Sequence, residues 1–72
     1  MRIYIFKSES QNGLRAFAAD LAGTQLPGRH GPWTAVGIIG ADRPPPHRFS
    51  RETIEAAISA EGFQLWRMRN PS

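Results

Sequence analysis

Apolar side chains alternate between two faces over the first residues of the chain. Ile3 and Ile5 fall on one side of an extended backbone, and Tyr4 and Phe6 fall on the other. β-Branched and aromatic residues favour strands, and a period of two residues is typical of a strand. The pattern therefore predicts a first strand over residues 1–8 that is apolar on both faces.

A polar run separates this strand from the next apolar stretch and ends in an Asn-Gly pair at residues 12–13. Asn-Gly readily adopts the positive φ angles of a tight hairpin turn. The stretch that follows has apolar residues at helical spacing, but Asp20 and Gly23 directly after it suit a type I turn. We therefore expect a short second strand over residues 14–20, with a short helix over residues 14–22 as the alternative.

A loop rich in Gly and Pro leads to Trp33, where a nearly all-apolar run begins and extends to Gly40. Short apolar runs bounded by turn residues are typical of strands in the middle of a sheet. We therefore expect a third strand in a central position. Three consecutive prolines at residues 44–46 cannot pair within a sheet and predict an extended spacer after it.

The clearest local signal is a helix between Ser50 and Gly62. Serine is a preferred N-cap, and Phe49 just before it can pack against Ile54 as a hydrophobic staple. Glycine commonly ends a helix. A final strand is predicted over residues 63–69, where apolar and polar residues alternate.

These elements predict one small α+β domain over residues 1–72. The order is β-β-β-α-β, which gives an antiparallel or mixed sheet of about four strands with the helix packed on one face. A chain of 72 residues has room for one hydrophobic core.

Part of the chain resembles a pattern found in small uncharacterised proteobacterial proteins of about this length. The residues that carry the resemblance are Phe17, Asp20, Gly23, Leu26 and Pro27, followed by Gly31, Pro32 and Trp33. The resemblance implies a strand, a tight turn and a rigid loop that leads into the next strand. No activity accompanies it, so it implies no functional residue.

One face of the predicted sheet is left without a helix. If the helix packs on the face that bears Ile3, Ile5 and Leu65, the other face carries aromatic side chains with basic residues at the strand ends. This combination is typical of protein interfaces and of surfaces that stack unpaired bases. The candidate partner-binding residues are Tyr4, Phe6, Trp66, Met68, Arg2, Lys7, Arg67 and Arg69.

We therefore expect a structural or protein-interaction domain whose second sheet face is covered by protein. The cover is the chain's own loop around Leu26 and Trp33, a second copy in a homodimer, or another protein partner. A module that binds single-stranded nucleic acid through the same face is the alternative. The net charge of +3, with eight Arg and one Lys, suits that alternative, but it also fits the composition of a GC-rich genome.

Catalytic and metal-binding patterns are not found in the sequence. The chain has no cysteine, which removes disulfides and thiolate zinc sites. His30 and His47 fall in loops without a nucleophile motif, so both are interpreted as solvated. We expect no enzymatic activity, no cofactor and no metal, and no stretch reaches the 18 apolar residues of a membrane span. A soluble cytoplasmic protein is expected.

Overall fold

The computed structural model describes residues 2–45 and 49–67. Its strands and helix are β1 (Ile3–Ser8), β2 (Leu14–Ala18), β3 (Trp33–Ile39), α1 (Arg51–Glu61) and β4 (Phe63–Arg67). The strands form one antiparallel sheet in the spatial order β3-β1-β2-β4. The α+β class and the β-β-β-α-β order are confirmed. The predictions that concern Pro46, His47, Met68 and Arg69 lie outside the described residues.

β1 and β2 form the predicted hairpin. The N–H of Leu14 donates to the carbonyl of Gln11 at 3.2 Å, and Gly13 has a φ of +82°, which residues with a Cβ rarely adopt. Ile5 lies opposite Phe17 in the ladder. The prediction of a second strand is confirmed, and the alternative of a short helix is wrong.

Helix α1 begins and ends where the sequence predicts. The Ser50 hydroxyl accepts a hydrogen bond from the N–H of Thr53 at 3.3 Å, which satisfies a donor without a partner inside the helix. At the other end, Gly62 has a φ of +92° and its N–H donates to the carbonyl of Ile58 at 2.7 Å. Ile54 and Ile58 are buried and attach the helix to the sheet.

The larger apolar cluster lies between the sheet and α1. Its buried members are Ile3, Phe17, Ile39, Ile54, Ile58 and Trp66. Burying a side chain of this size contributes about 1.5–3 kcal/mol. This cluster is therefore the main source of stability that the sheet gains from the helix.

β4 presents to the helix the opposite set of side chains from the one expected. Trp66 lies beneath the helix with Phe17, whereas Leu65 packs with Phe6 on the other face. The expectation that Leu65 packs under the helix and that Trp66 shares a face with Tyr4 and Phe6 is therefore wrong. The cause is the register between β4 and its neighbour β2, because a shift of one residue moves every side chain to the other face.

The loop between β2 and β3 covers the second face of the sheet. Leu26 is buried there against Phe6 and two alanines of β2. The loop begins with the predicted turn, in which the N–H of Gly23 donates to the carbonyl of Asp20 at 3.3 Å. A Cβ on Gly23 would lie 2.8 Å from Leu26 Cδ1 and 3.2 Å from Phe6 Cζ, so the backbone passes close over the core. The chain's own loop supplies this cover.

β3 lies at an edge of the sheet, and the expectation of a central third strand is wrong. Within the described residues it pairs with β1 alone. Val36 and Ile38 are 44% and 58% exposed. An apolar run indicates that a strand needs apolar neighbours, but it does not indicate whether those neighbours belong to the same chain.

Candidate functional site at the outer edge of β3

The aromatic residues predicted to form one binding surface are separated by the sheet. Tyr4 and Phe6 lie on the face covered by the loop. Trp66 lies on the helix side, where its ring stacks on Phe17 with a centroid distance of 5.2 Å and meets the edge of Phe49 at 5.3 Å. A base cannot stack on Trp66 without displacing these rings, so the described residues lack the surface on which the nucleic-acid alternative depended.

The basic residues of the predicted surface that the structure describes make separate contacts. Arg67 donates to the side-chain oxygen of Gln11 at 3.0 Å. Lys7 lies 3.9 Å from the carboxylate of Glu9, a surface pair that contributes little to stability. Arg2 is exposed before β1.

Among the described residues, the large apolar side chains that are exposed on a regular element lie on the edge strand β3. Three residues in its centre, Ala35, Val36 and Ile38, are exposed, and only Gly37 between them is partly buried. The ladder to β1 shifts register at this point, because Ile5 pairs with Gly37 and Phe6 pairs with Ala35. Val36 therefore has no counterpart on β1.

No charged side chain occurs between Trp33 and Ala41. Edge strands of native sheets are commonly protected by charges, prolines, bulges or a covering segment. Among the described residues, the protective features of β3 are the register shift at Val36 and the Glu9 carboxylate, which accepts from the Thr34 hydroxyl at 2.6 Å near the start of the strand. Beyond the bulge, toward Ile39, this edge retains its capacity to pair with a further strand.

The other edge of the sheet, β4, is protected differently. The side-chain amide of Gln64 donates to the backbone carbonyl of Leu65 at 2.8 Å, which occupies an acceptor of the edge strand. An open cleft of about 300 Å³ runs beside it, lined by Phe63, Gln64 and Leu65 together with the charged side chains of Arg29 and Glu61. Charged groups beside an edge oppose the addition of another strand. β4 is therefore better protected than β3 against the addition of a further strand.

His30 is part of a hydrogen-bond network rather than solvated as expected. It belongs to a 3-10 turn, Gly28–His30, and is half-buried. Its ring Nδ1 lies 2.5 Å from the side-chain nitrogen of Gln11, and its carbonyl accepts from the hydroxyls of Ser8 at 2.5 Å and Ser10 at 3.1 Å. The network joins residues about 20 positions apart in the chain, and no local sequence pattern indicates such a contact.

Two further bonds hold the end of the loop on the sheet. The indole N–H of Trp33 donates to the carbonyl of Pro27 at 2.9 Å, and the N–H of Glu9 donates to the carbonyl of Pro32 at 2.8 Å. The loop is therefore bound to the hairpin on one side and to β3 on the other.

In the described part of the chain, no group of three or more His, Asp or Glu side chains is arranged to hold a metal ion. Within the same ranges, no helix has the length and apolar character needed to cross a bilayer.

Comparisons with protein-family models, with curated proteins and with solved structures found no match to this chain.

Proposed function

We propose that this chain is a homotypic interaction domain, in which the outer edge of β3 pairs with the β3 edge of a second copy. The observation that carries the proposal is the position of β3: a strand with the composition of a sheet interior lies at an edge, with Val36 and Ile38 exposed.

An edge strand has a row of backbone N–H and C=O groups that point away from its one neighbour. Adding a strand provides partners for those groups, and the alternating side chains of the added strand supply specificity. From Ala35 to Ile39 the side chains of β3 that are available for such contacts are apolar, so the pairing would also bury Val36 and Ile38.

A second copy is the partner that fits the charge and the symmetry. The proposed contact strand is uncharged, so two copies bring no like charges into contact along β3, although each chain carries a net charge of +3. A contact between the same edge of two copies closes as a two-fold dimer, whereas a contact between unlike edges continues into a fibre. The occupied carbonyl of Leu65 and the charges of Arg29 and Glu61 disfavour pairing through β4.

The absence of cysteine makes a direct test of this contact available. Replacing Ile38→Cys places a single thiol on the proposed interface, and Leu21→Cys places one at a site of similar exposure in the turn after β2. Under mild oxidation, Ile38→Cys should form a disulfide-linked dimer at least tenfold faster than Leu21→Cys.

Equal rates for the two variants would overturn the proposal, because they would reflect random collision of exposed thiols. A control in about 2 M urea, below the unfolding transition, distinguishes association from unfolding. The Ile38→Cys dimer should form more slowly there while circular dichroism shows the fold intact, since urea weakens apolar association.

A further inference from the structure

We infer that His30 is a pH-sensitive latch, which holds the loop between β2 and β3 on the sheet while its ring is neutral and loosens that loop when its ring is protonated. The observations that carry this inference are the hydrogen-bond directions around Gln11, which lies between His30 and Arg67.

The orientation of the Gln11 amide is fixed by Arg67. A guanidinium group can only donate hydrogen bonds, and its Nη2 lies 3.0 Å from Gln11 Oε1. The oxygen of the amide must therefore face Arg67, which leaves the NH₂ group facing His30.

The NH₂ group of Gln11 that faces His30 determines which ring nitrogen of His30 can carry a proton. Gln11 Nε2 is a donor and lies 2.5 Å from His30 Nδ1, so Nδ1 must accept. A histidine nitrogen accepts only in the neutral ring that carries its proton on the other nitrogen. The bonded latch therefore requires neutral His30 with the proton on Nε2.

Protonation of the ring places two donors face to face. Turning the Gln11 amide over would restore a bond to His30, but its NH₂ group would then face the guanidinium of Arg67. One hydrogen bond is lost in either arrangement. Histidine is the side chain whose charge ordinarily changes between pH 5 and 8.

The charged groups around the ring do not compensate for this loss. Arg67, at the end of β4, bonds to Gln11, and Arg29 precedes His30 in the same turn; both are cations. Glu9 follows β1, but its carboxylate accepts from the Thr34 hydroxyl at 2.6 Å and lies 3.9 Å from Lys7. Among the described residues, no carboxylate contacts the ring.

Loss of the bond between Gln11 and His30 weakens the attachment of the loop that covers the second face of the sheet. The carbonyl of His30 is held by Ser8 and Ser10, and the next link along the loop is the bond from Glu9 N–H to Pro32. The protection of the Glu9 amide from hydrogen exchange therefore reports how firmly the loop is attached. We expect this protection factor to fall about tenfold between pH 8 and pH 5.5, as for the loss of one hydrogen bond.

Two variants separate the latch from a general effect of acid. His30→Asn keeps an acceptor near the position of Nδ1 but does not titrate, so its Glu9 protection factor should stay constant. Gln11→Glu provides an oxygen for Arg67 and another for protonated His30, so its protection factor should rise as the pH falls. This reversal of sign is the result that a purely structural role for His30 would not produce.

The ¹⁵N chemical shifts of His30 test the inference without any substitution. At pH 8 the wild-type ring should carry its proton on Nε2, with Nδ1 unprotonated. A ring protonated on Nδ1 at that pH, or a wild-type Glu9 protection factor that does not change with pH, would overturn the inference. The same pH dependence in His30→Asn as in wild type would also overturn it.

Discussion

Ile38 lies opposite Tyr4 in the ladder between β1 and β3, and the two side chains share one face of the sheet. Tyr4 is half-buried against the cluster beneath the loop, whereas Ile38 is 58% exposed. The apolar surface of this face therefore continues beyond the loop onto the edge strand. Exposed apolar side chains are thus present at the outer edge of the sheet, on β3. Their exposure is the basis of the proposed pairing through β3.

The position of Trp66 beneath the helix predicts a large effect on stability. Trp66→Ala should lower the free energy of unfolding by about 3–5 kcal/mol, because it removes a buried ring that stacks on Phe17. Trp66→Phe should retain most of the stacking and lose less. Denaturant unfolding followed by circular dichroism measures both. A Trp66→Ala protein as stable as wild type would contradict the assignment of this ring to the core.

The cap of α1 predicts a smaller and local effect. Ser50→Ala should lower the free energy of unfolding by about 1 kcal/mol, because the N–H of Thr53 loses its acceptor. Ser59 is an exposed serine inside the same helix and provides the matched control. Ser59→Ala should be neutral or slightly stabilising, since alanine is the better helix former. Thermal unfolding that ranks the two variants in the reverse order would contradict the capping role.

The sequence predicts where the helix and the strands lie along the chain better than it predicts which strands pair and which faces they bury. Ser50 and Gly62 mark the helix because caps are local, and an Asn-Gly pair marks the hairpin for the same reason. The face that Trp66 occupies depends on the register between β4 and β2, which are distant in sequence and whose pairing no local pattern encodes. The sequence does not predict the edge position of β3 for the same reason, because that position also depends on pairing between strands that are distant in sequence.

For the candidate site, the sequence predicts the apolar character of a contact surface but not its location in the fold. The second sheet face is expected to be covered by protein, and the loop that carries Leu26 does cover the face that bears Tyr4 and Phe6. The exposed apolar side chains lie instead on β3, which the sequence does not indicate. The contact between Gln11 and His30 gave no sequence signal, because it joins residues on separate loops.

The close passage of the loop over the core predicts a penalty at Gly23. Gly23→Ala should lower the free energy of unfolding by at least about 1–2 kcal/mol, since its φ of +64° is unfavourable for residues with a Cβ and the added atom would lie 2.8 Å from Leu26. Gly28 is the matched control in the same loop, because a Cβ there would have no heavy atom within 4 Å. Gly28→Ala should leave stability within about 0.5 kcal/mol of wild type. Equal losses in urea titrations of the two variants would contradict this account of the loop.

The unequal edges of the sheet predict that Gln64 limits assembly. Gln64→Val removes the bond to the carbonyl of Leu65 and places a β-branched side chain on β4. This variant should form species larger than a dimer, because both edges could then add strands. Analytical ultracentrifugation measures the size distribution. A distribution unchanged from wild type would show that Gln64 does not protect this edge.

The mass of the protein in solution, measured by light scattering across concentrations, tests the pairing of β3 most directly. Wild type should approach twice the chain mass of 8.0 kDa by about 100 µM, a concentration at which a dissociation constant in the micromolar range gives mainly dimer. Ile38→Lys should remain at 8.0 kDa, because it places a charge from each copy in the contact. Leu21→Lys, at a site of similar exposure away from β3, should behave as wild type. A wild-type mass of 8.0 kDa up to about 1 mM, or dimers that Ile38→Lys leaves intact, would contradict the central claim.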